Sequence, residues 1–226
     1  MAEPRQEFER ELEAIEANVI ELFAMVAEDL PGATQALLTG NSDVIKALTE
    51  REQAIDALYP EIESMANREI LLQAPVASDL RFLLSVLRIV PELESSHDLV
   101  MQIAARSTHI LNEDLSPRCR GLVERMGNLV SGMWRQAVDS WYERDRSAAA
   151  KIGERDEEMD ELYASLIAEL ASGRMPLPVT MEMTLVARFY ERLGAHALNI
   201  SRRVVYLAGS QGLPDTQVKD EGQIDE

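Results

Sequence analysis

Pro91-Glu92-Leu93-Glu94-Ser95-Ser96-His97-Asp98 lies inside a run, residues 80–111, whose apolar side chains recur every three or four positions. Leu80, Leu83, Leu84, Leu87, Val90, Leu93, Val100, Ile103 and Ala104 carry that period, so the run predicts an amphipathic helix. Glu94 and Asp98 are four apart, which stacks their carboxylates one turn above the other on one face. Two like charges at that spacing cost a helix about 0.2–0.5 kcal/mol unless something positive stands between them. A metal ion would serve, as would an arginine or plain solvation.

The same period extends through the rest of the chain. A first helix is expected over 4–39, with Phe8, Leu12, Ile15, Val19, Leu22, Phe23, Val26, Leu30, Ala33 and Leu37 inward and a bend at Pro31. Gly40-Asn41 ends it, and Asn41 or Ser42 can cap a second helix over 42–73, in which Pro60 marks another bend. The third runs 76–111, with Pro91 a further bend beside the acidic pair. After a polar break at 112–117, helices follow at 118–141, 147–171 and 178–207. Residues 209–226 carry no apolar period and read as a disordered acidic tail.

Apolar residues make up 46% of the 226, enough for a core, yet no run of 18 apolar residues exists to span a membrane. Met1–Arg10 is charged and lacks an apolar stretch, so no secretion signal is expected. Cys119 is the only cysteine, which excludes an internal disulfide and fits a reducing compartment. The net charge of −18 repels phosphate backbones and anionic lipid, arguing against nucleic-acid binding and favouring positive partners. The 5% aromatic content fits an all-α chain better than a sheet.

The helices repeat. Ile55-Asp56-Ala57-Leu58-Tyr59 aligns with Met159-Asp160-Glu161-Leu162-Tyr163, 104 positions on, so Glu52 falls on Asp156. In the third helices the offset is 97: Glu94 falls on Glu191, Ile103 on Ile200 and Arg106 on Arg203. The offsets differ by seven, a change that the connection between second and third helices can absorb. The expectation is an all-α chain made by tandem duplication of a three-helix unit, 5–111 and 118–208.

Acids fall at equivalent places in the two units: Glu52, Asp56, Glu94 and Asp98, then Asp156, Asp160 and Glu191, with Ala195 where a fourth would stand. Chance alone gives about seven acid pairs at this spacing in so acidic a chain, most on solvated faces. Only the repeat lifts these above that background. Four carboxylates from two antiparallel helices make a hard-oxygen site suited to Fe, Mn, Mg, Ca or Zn. Glu94-Ser95-Ser96-His97 also has the Glu-x-x-His spacing of di-iron bundles, but His109 and His196 follow Arg106 and Leu193, so the second such element is missing. His97 is expected to be a partly exposed hydrogen-bonded side chain, and His196 a packed or capping one. Arg118 and Arg120 are expected to lower the Cys119 thiol pKa, though no histidine adjoins it to make a catalytic pair. Trp134 and Trp141, seven apart on one face, read as core or dimer contacts.

Gln73-Ala74-Pro75-Val76-Ala77-Ser78-Asp79-Leu80-Arg81, Glu92-Leu93-Glu94-x-x-x-Asp98, Asp156-x-x-x-Asp160-x-Leu162-Tyr163 and Tyr190-Glu191-Arg192-Leu193-Gly194-Ala195-His196-Ala197-x-Asn199-Ile200 together resemble the PhoU family. The resemblance spans about 5–208 and implies two tandem antiparallel three-helix bundles related by a pseudo-two-fold, in a non-enzymatic, cytoplasmic, often dimeric regulator of phosphate uptake and phosphate-starvation signalling. It implies carboxylate-bound iron or zinc, with Mg or Mn as the other hard cations, held by Glu52, Asp56, Glu94, Asp98, Asp156, Asp160 and Glu191. It also implies contact with the ATPase of the phosphate ABC transporter and with a sensor histidine kinase. The chain departs from the family pattern at Ser95 and His97, which stand for Arg and Gly, and at Ala195, which stands for Asp. Two rival readings use the same residues: a carboxylate-metal enzyme or iron-handling bundle, and a metal-free helical adaptor. One expectation needs no knowledge of the site. Deleting 210–226, which holds five acids and little to bury, should leave the melting temperature unchanged, and a fall of many degrees would show that the segment docks.

Overall fold

A computed structural model describes residues 3–108 and 115–209; the acidic tail expected beyond Gly209 lies outside them. The chain forms α1 (Glu3–Thr39), α2 (Ser42–Gln73), α3 (Ala77–Ala105), a 3-10 turn (Arg106–Thr108), α4 (Pro117–Glu143), α5 (Ala148–Ala171) and α6 (Leu177–Ala208). No strand occurs among the described residues. The third helix ends six residues before the expected limit: the backbone tightens into the 3-10 turn, where the Ser107 and Thr108 hydroxyls donate to Ala104 O and Ala105 O. Residues 109–111 of the expected helix are outside the described set. Helical assignment is unbroken across Pro31, Pro60 and Pro91.

Local chemistry explains the ends. Gly40 takes φ +71° after α1, a conformation glycine enters without Cβ strain. The Asn41 side chain then accepts from Asp43 N at 3.0 Å and caps α2. Ser116 caps α4 by accepting from Cys119 N at 3.0 Å, with Pro117 pre-set for the first turn.

Helices α1, α2 and α3 pack on one another, as do α4, α5 and α6; α1 also packs on α4, and α3 on α6. Each central helix thus meets its own repeat-equivalent, the signature of a two-fold operation. The seam between the bundles is dry and aromatic. Phe23 of α1 lies between Trp134 and Trp141 of α4, ring centroids 6.4 and 6.0 Å away, and all three are fully buried. Each tryptophan removes about 200 Å² from water, about 5 kcal/mol gross. Both are therefore core residues. Trp134 Nε1 also donates to Leu193 O at 3.0 Å, joining α4 to α6.

Three expectations about side chains change. Leu84 is exposed, because it lies to the solvent side of the α3 stripe centred on Leu83, Val86 and Val90. Cys119 is fully buried, and burial together with the Glu169 charge pushes its thiol up to about 11; Arg120 opposes this only weakly. His97 is buried, not partly exposed.

Gly127 on α4 sits so close to α1 that an added Cβ would lie 2.5 Å from Thr34 Oγ1 and 2.6 Å from Thr34 Cγ2. Thr34 is pinned there, its hydroxyl donating to Leu30 O at 3.1 Å and sharing a 2.8 Å hydrogen bond with Tyr190 OH of α6. Gly127→Ala should therefore cost about 1–3 kcal/mol despite its better helix propensity, lowering Tm by roughly 2–12 °C. Adding Thr34→Ala should recover part of that loss; a neutral Gly127→Ala in a thermal melt would show that the seam is looser than described.

Candidate carboxylate sites

In the first repeat, α2 presents Glu52 and Asp56 and the adjoining α3 presents Glu94 and Asp98. Glu52 and Glu94 are half-buried, while Asp56 and Asp98 are exposed. Burial pushes the Glu94 carboxyl above its ordinary range, and the charges of Asp98 and then Asp56 push it further; Ser95 Oγ, donating at 3.4 Å, and His97 pull the other way. Burial likewise raises the Tyr59 phenol, with the charges of Glu63 and Glu94 adding, so Tyr59 borders the same cluster. Asp98 on the same helix and Asp56 across the α2–α3 seam thus both act on Glu94.

In the second repeat, burial and the Asp160 charge raise the Asp156 carboxyl, and Arg202 opposes them. Asp156 lies against α6 at Gly194, where an added Cβ would come within 3.3 Å of its Oδ1. Glu191 is not free: Arg188 Nη1 donates to its Oε2 at 2.5 Å. Ala195 offers no oxygen.

Among the described residues, no three of His, Cys, Asp and Glu are gathered closely enough to hold a metal ion. The first repeat nevertheless fits a hard cation by donor type and charge: its carboxylates are oxygen donors, and the influences on Glu94 include two acids and no arginine. The second repeat fits less well, because an arginine already engages one of its three acids.

A second layer fixes these helices, and the sequence reading did not find it. Asp29 of α1 is buried, forms an ion pair with Arg51 of α2 at 2.8 Å and pairs with His97 Nε2 of α3 at 3.2 Å. One carboxylate thus ties all three helices of the bundle beside Asp98. The signal was an acid in the inward phase of α1, between Val26 and Ala33. Across the bundles, Ser96 Oγ donates to Glu92 O at 2.6 Å, which leaves it to accept from His196 Nδ1 at 2.7 Å. His196 is therefore the packed histidine expected, neutral with its proton on Nδ1. Burial, then the Arg192 charge, lowers its pKa to about 4. One turn on, Asn199 Nδ2 donates to Glu92 Oε1 at 2.9 Å.

Six helices in two equivalent bundles, with carboxylates at equivalent positions on the second and third helix of each save at Ala195, define a class of tandem helical-bundle proteins. The PhoU domain family model matches twice, at residues 19–107 and 123–204, and the chain belongs to that family. A phosphate-specific transport system accessory protein PhoU homolog from Zymomonas mobilis is 31% identical over 218 residues, covering 94% of this chain and 92% of its own. The corresponding homolog from Aquifex aeolicus is 31% identical, covering 95% and 98%. The crystal structure of PhoU from Pseudomonas aeruginosa superposes with a TM-score of 0.82 at 27% identity, over 88% of this chain and 98% of that one. The phosphate transport system regulatory protein PhoU from Streptococcus pneumoniae gives 0.81 at 25%, over 92% and 99%.

The neutral His196 sets a pH dependence. Its pKa falls from 6.5 in the unfolded chain to about 4 in the fold, so its contribution to stability is full above 6.5 and is lost as pH falls towards 4. Urea titrations from pH 7 to 4 should therefore show the parent losing more stability than His196→Gln; parallel losses would show that the ring titrates normally.

Proposed function

We propose that this protein is a metal-binding regulator of phosphate uptake and of phosphate-starvation signalling, not an enzyme. It acts by contact with the ATPase of the phosphate ABC transporter and with a sensor histidine kinase. The observation that carries the reading is the match of both repeats to one family whose similar members bear transport-accessory and regulatory names, with the six-helix arrangement kept. No described helix is long and apolar enough to cross a membrane, and the net charge of −18 suits basic protein partners over nucleic acid. A cytoplasmic homodimer is the form that this reading assigns it.

Asp56, Glu94 and Asp98 are the residues that would hold a cation, with Glu52 on the same helix as Asp56. Iron or zinc is the first choice and Mg or Mn the second. When bound, the ion supplies positive charge between carboxylates that otherwise repel. The chain supplies the placement: the Asp29–His97 contact holds α3 at the residue next to Asp98. One observation favours a metal-free adaptor instead, namely that no three ligand groups converge among the described residues.

Two measurements test the reading. A strain lacking the protein should take up labelled phosphate faster than its parent when phosphate is plentiful, and unchanged uptake and signalling would overturn the regulatory role. Metal at a hundredfold excess over Kd should stabilise the fold by about 2.7 kcal/mol, roughly 5–11 °C in Tm. Asp98→Ala should abolish most of that rise. No metal-dependent rise in the parent would leave the metal-free adaptor as the function.

A further inference from the structure

The two offsets between the repeats place the first repeat's surplus of seven residues at one corner of its bundle. At the 104-residue offset Ala171, the last residue of α5, falls on Asn67, so α2 runs six residues further, to Gln73. At the 97-residue offset Leu177, the first residue of α6, falls on Leu80, so α3 starts three residues earlier, at Ala77. The α2–α3 hairpin therefore projects, and its tip is apolar. Leu71, Leu72 and Val76 are 82%, 70% and 73% exposed, a grouping of large apolar side chains that marks a surface made to be covered.

The tip is also held in a costly shape. Ala74 and Ala77 take φ +45° and +51°, left-handed backbone in which a Cβ is strained. The corresponding hairpin of the second repeat turns on Gly173 at φ +71°, free of that strain. Between the α2–α3 loop and the start of α1 lies a cleft of about 320 Å³, lined by Arg5, Phe8, Gln73, Pro75, Val76 and Asp79. The ion pair of Asp79 with Arg5 is long, at 3.8 Å. One turn before Gln73, Glu69 is buried, and its Oε2 accepts no hydrogen bond among the described residues. Glu7, Glu9 and Glu13 stand exposed on the adjoining turns of α1.

The second repeat shows what such a corner takes. Its loop, Ser172 to Pro176, closes the corner from within: Met175 is buried, and Arg174 Nη1 lies 3.7 Å from the buried Glu169. The loop of the first repeat is Ala74-Pro75-Val76, which supplies neither a cation nor a buried apolar side chain. We propose that the α2–α3 corner is a docking site for a basic segment of a partner protein, which brings from outside the pair that Arg174 and Met175 provide within the chain. An apolar side chain of the partner fills the cleft against Phe8, Pro75 and Val76. Its lysine or arginine faces Asp79 and the exposed acids of α1. The proposal rests on the reading that the protein acts by contact with other proteins, and on neither its phosphate role nor a metal.

The test selects short peptides from a random library on the immobilised full chain and measures the selected ones by fluorescence polarisation. They should carry an arginine or lysine beside a leucine, isoleucine or methionine, and should bind more weakly as salt rises. Leu72→Ser and Val76→Ser should each weaken them about tenfold, the loss of one apolar contact. Asp79→Asn should weaken them about two- to fivefold and flatten the salt dependence. Leu177→Ser, as exposed but at the other corner, should change nothing. Folding is safe in these variants: Leu72 and Val76 are exposed, and serine at 76 can cap α3 where valine makes no side-chain hydrogen bond. Acidic peptides, no peptides, or peptides that bind Leu72→Ser and Val76→Ser as tightly as the parent would overturn the proposal. So would a parent dimer that Leu72→Ser dissociates in sedimentation, since a second copy would then cover the corner. So would binding that appears only once residues 210–226 are removed, since the chain itself would then hold the site. Peptide binding judges the docking site and phosphate uptake judges the role, so either can fail alone.

Discussion

Everything in this fold depends on the close approach of α1 to α4 at Thr34 and Gly127. Helices can come that near only where one lacks a Cβ. The approach lets Phe23 slot between Trp134 and Trp141, and it lets Thr34 reach Tyr190 on α6. The seam thereby sets the separation of the two bundles. That separation in turn fixes where α3 meets α6, through Ser96 with His196 and Glu92 with Asn199. The carboxylate-bearing seams lie within each bundle, between helices that the central layer holds in place.

Charge is distributed over that frame with little waste. The buried Asp29 has a partner on α2 and another on α3, which offsets the cost of removing a carboxylate from water. Glu169, equally buried, accepts from Ser116 at 2.8 Å and has Arg118 and Arg174 within 3.7 Å. Among the described residues, Glu52, Asp56, Glu94 and Asp98 form no ion pair with a lysine or arginine.

The helices were legible because each buries a broad stripe and the 3.6-residue period is strong in every one. The repeat was legible because the acids and their flanking apolar residues recur together, Asp56-x-Leu58-Tyr59 and Asp160-x-Leu162-Tyr163. What the sequence concealed was depth. His97 and Cys119 sit beside polar neighbours in the chain, which point to a partly exposed imidazole and an acidified thiol, yet tertiary packing buries both. The end of α3 was hidden too, since the apolar period continues past the point where Ser107 and Thr108 turn their hydroxyls onto the backbone. The Arg188–Glu191 pair was present as an i,i+3 spacing, but such spacings are too common in this chain to single one out.

The aromatic seam has a consequence for how the molecule comes apart. Neither three-helix unit keeps Phe23, Trp134 and Trp141 dry without the other, so each half exposes a large apolar face when its neighbour opens. The free energy of the interface is shared, and partial unfolding of one repeat is penalised in both. The duplicated chain therefore behaves as a single cooperative unit despite its two-part architecture.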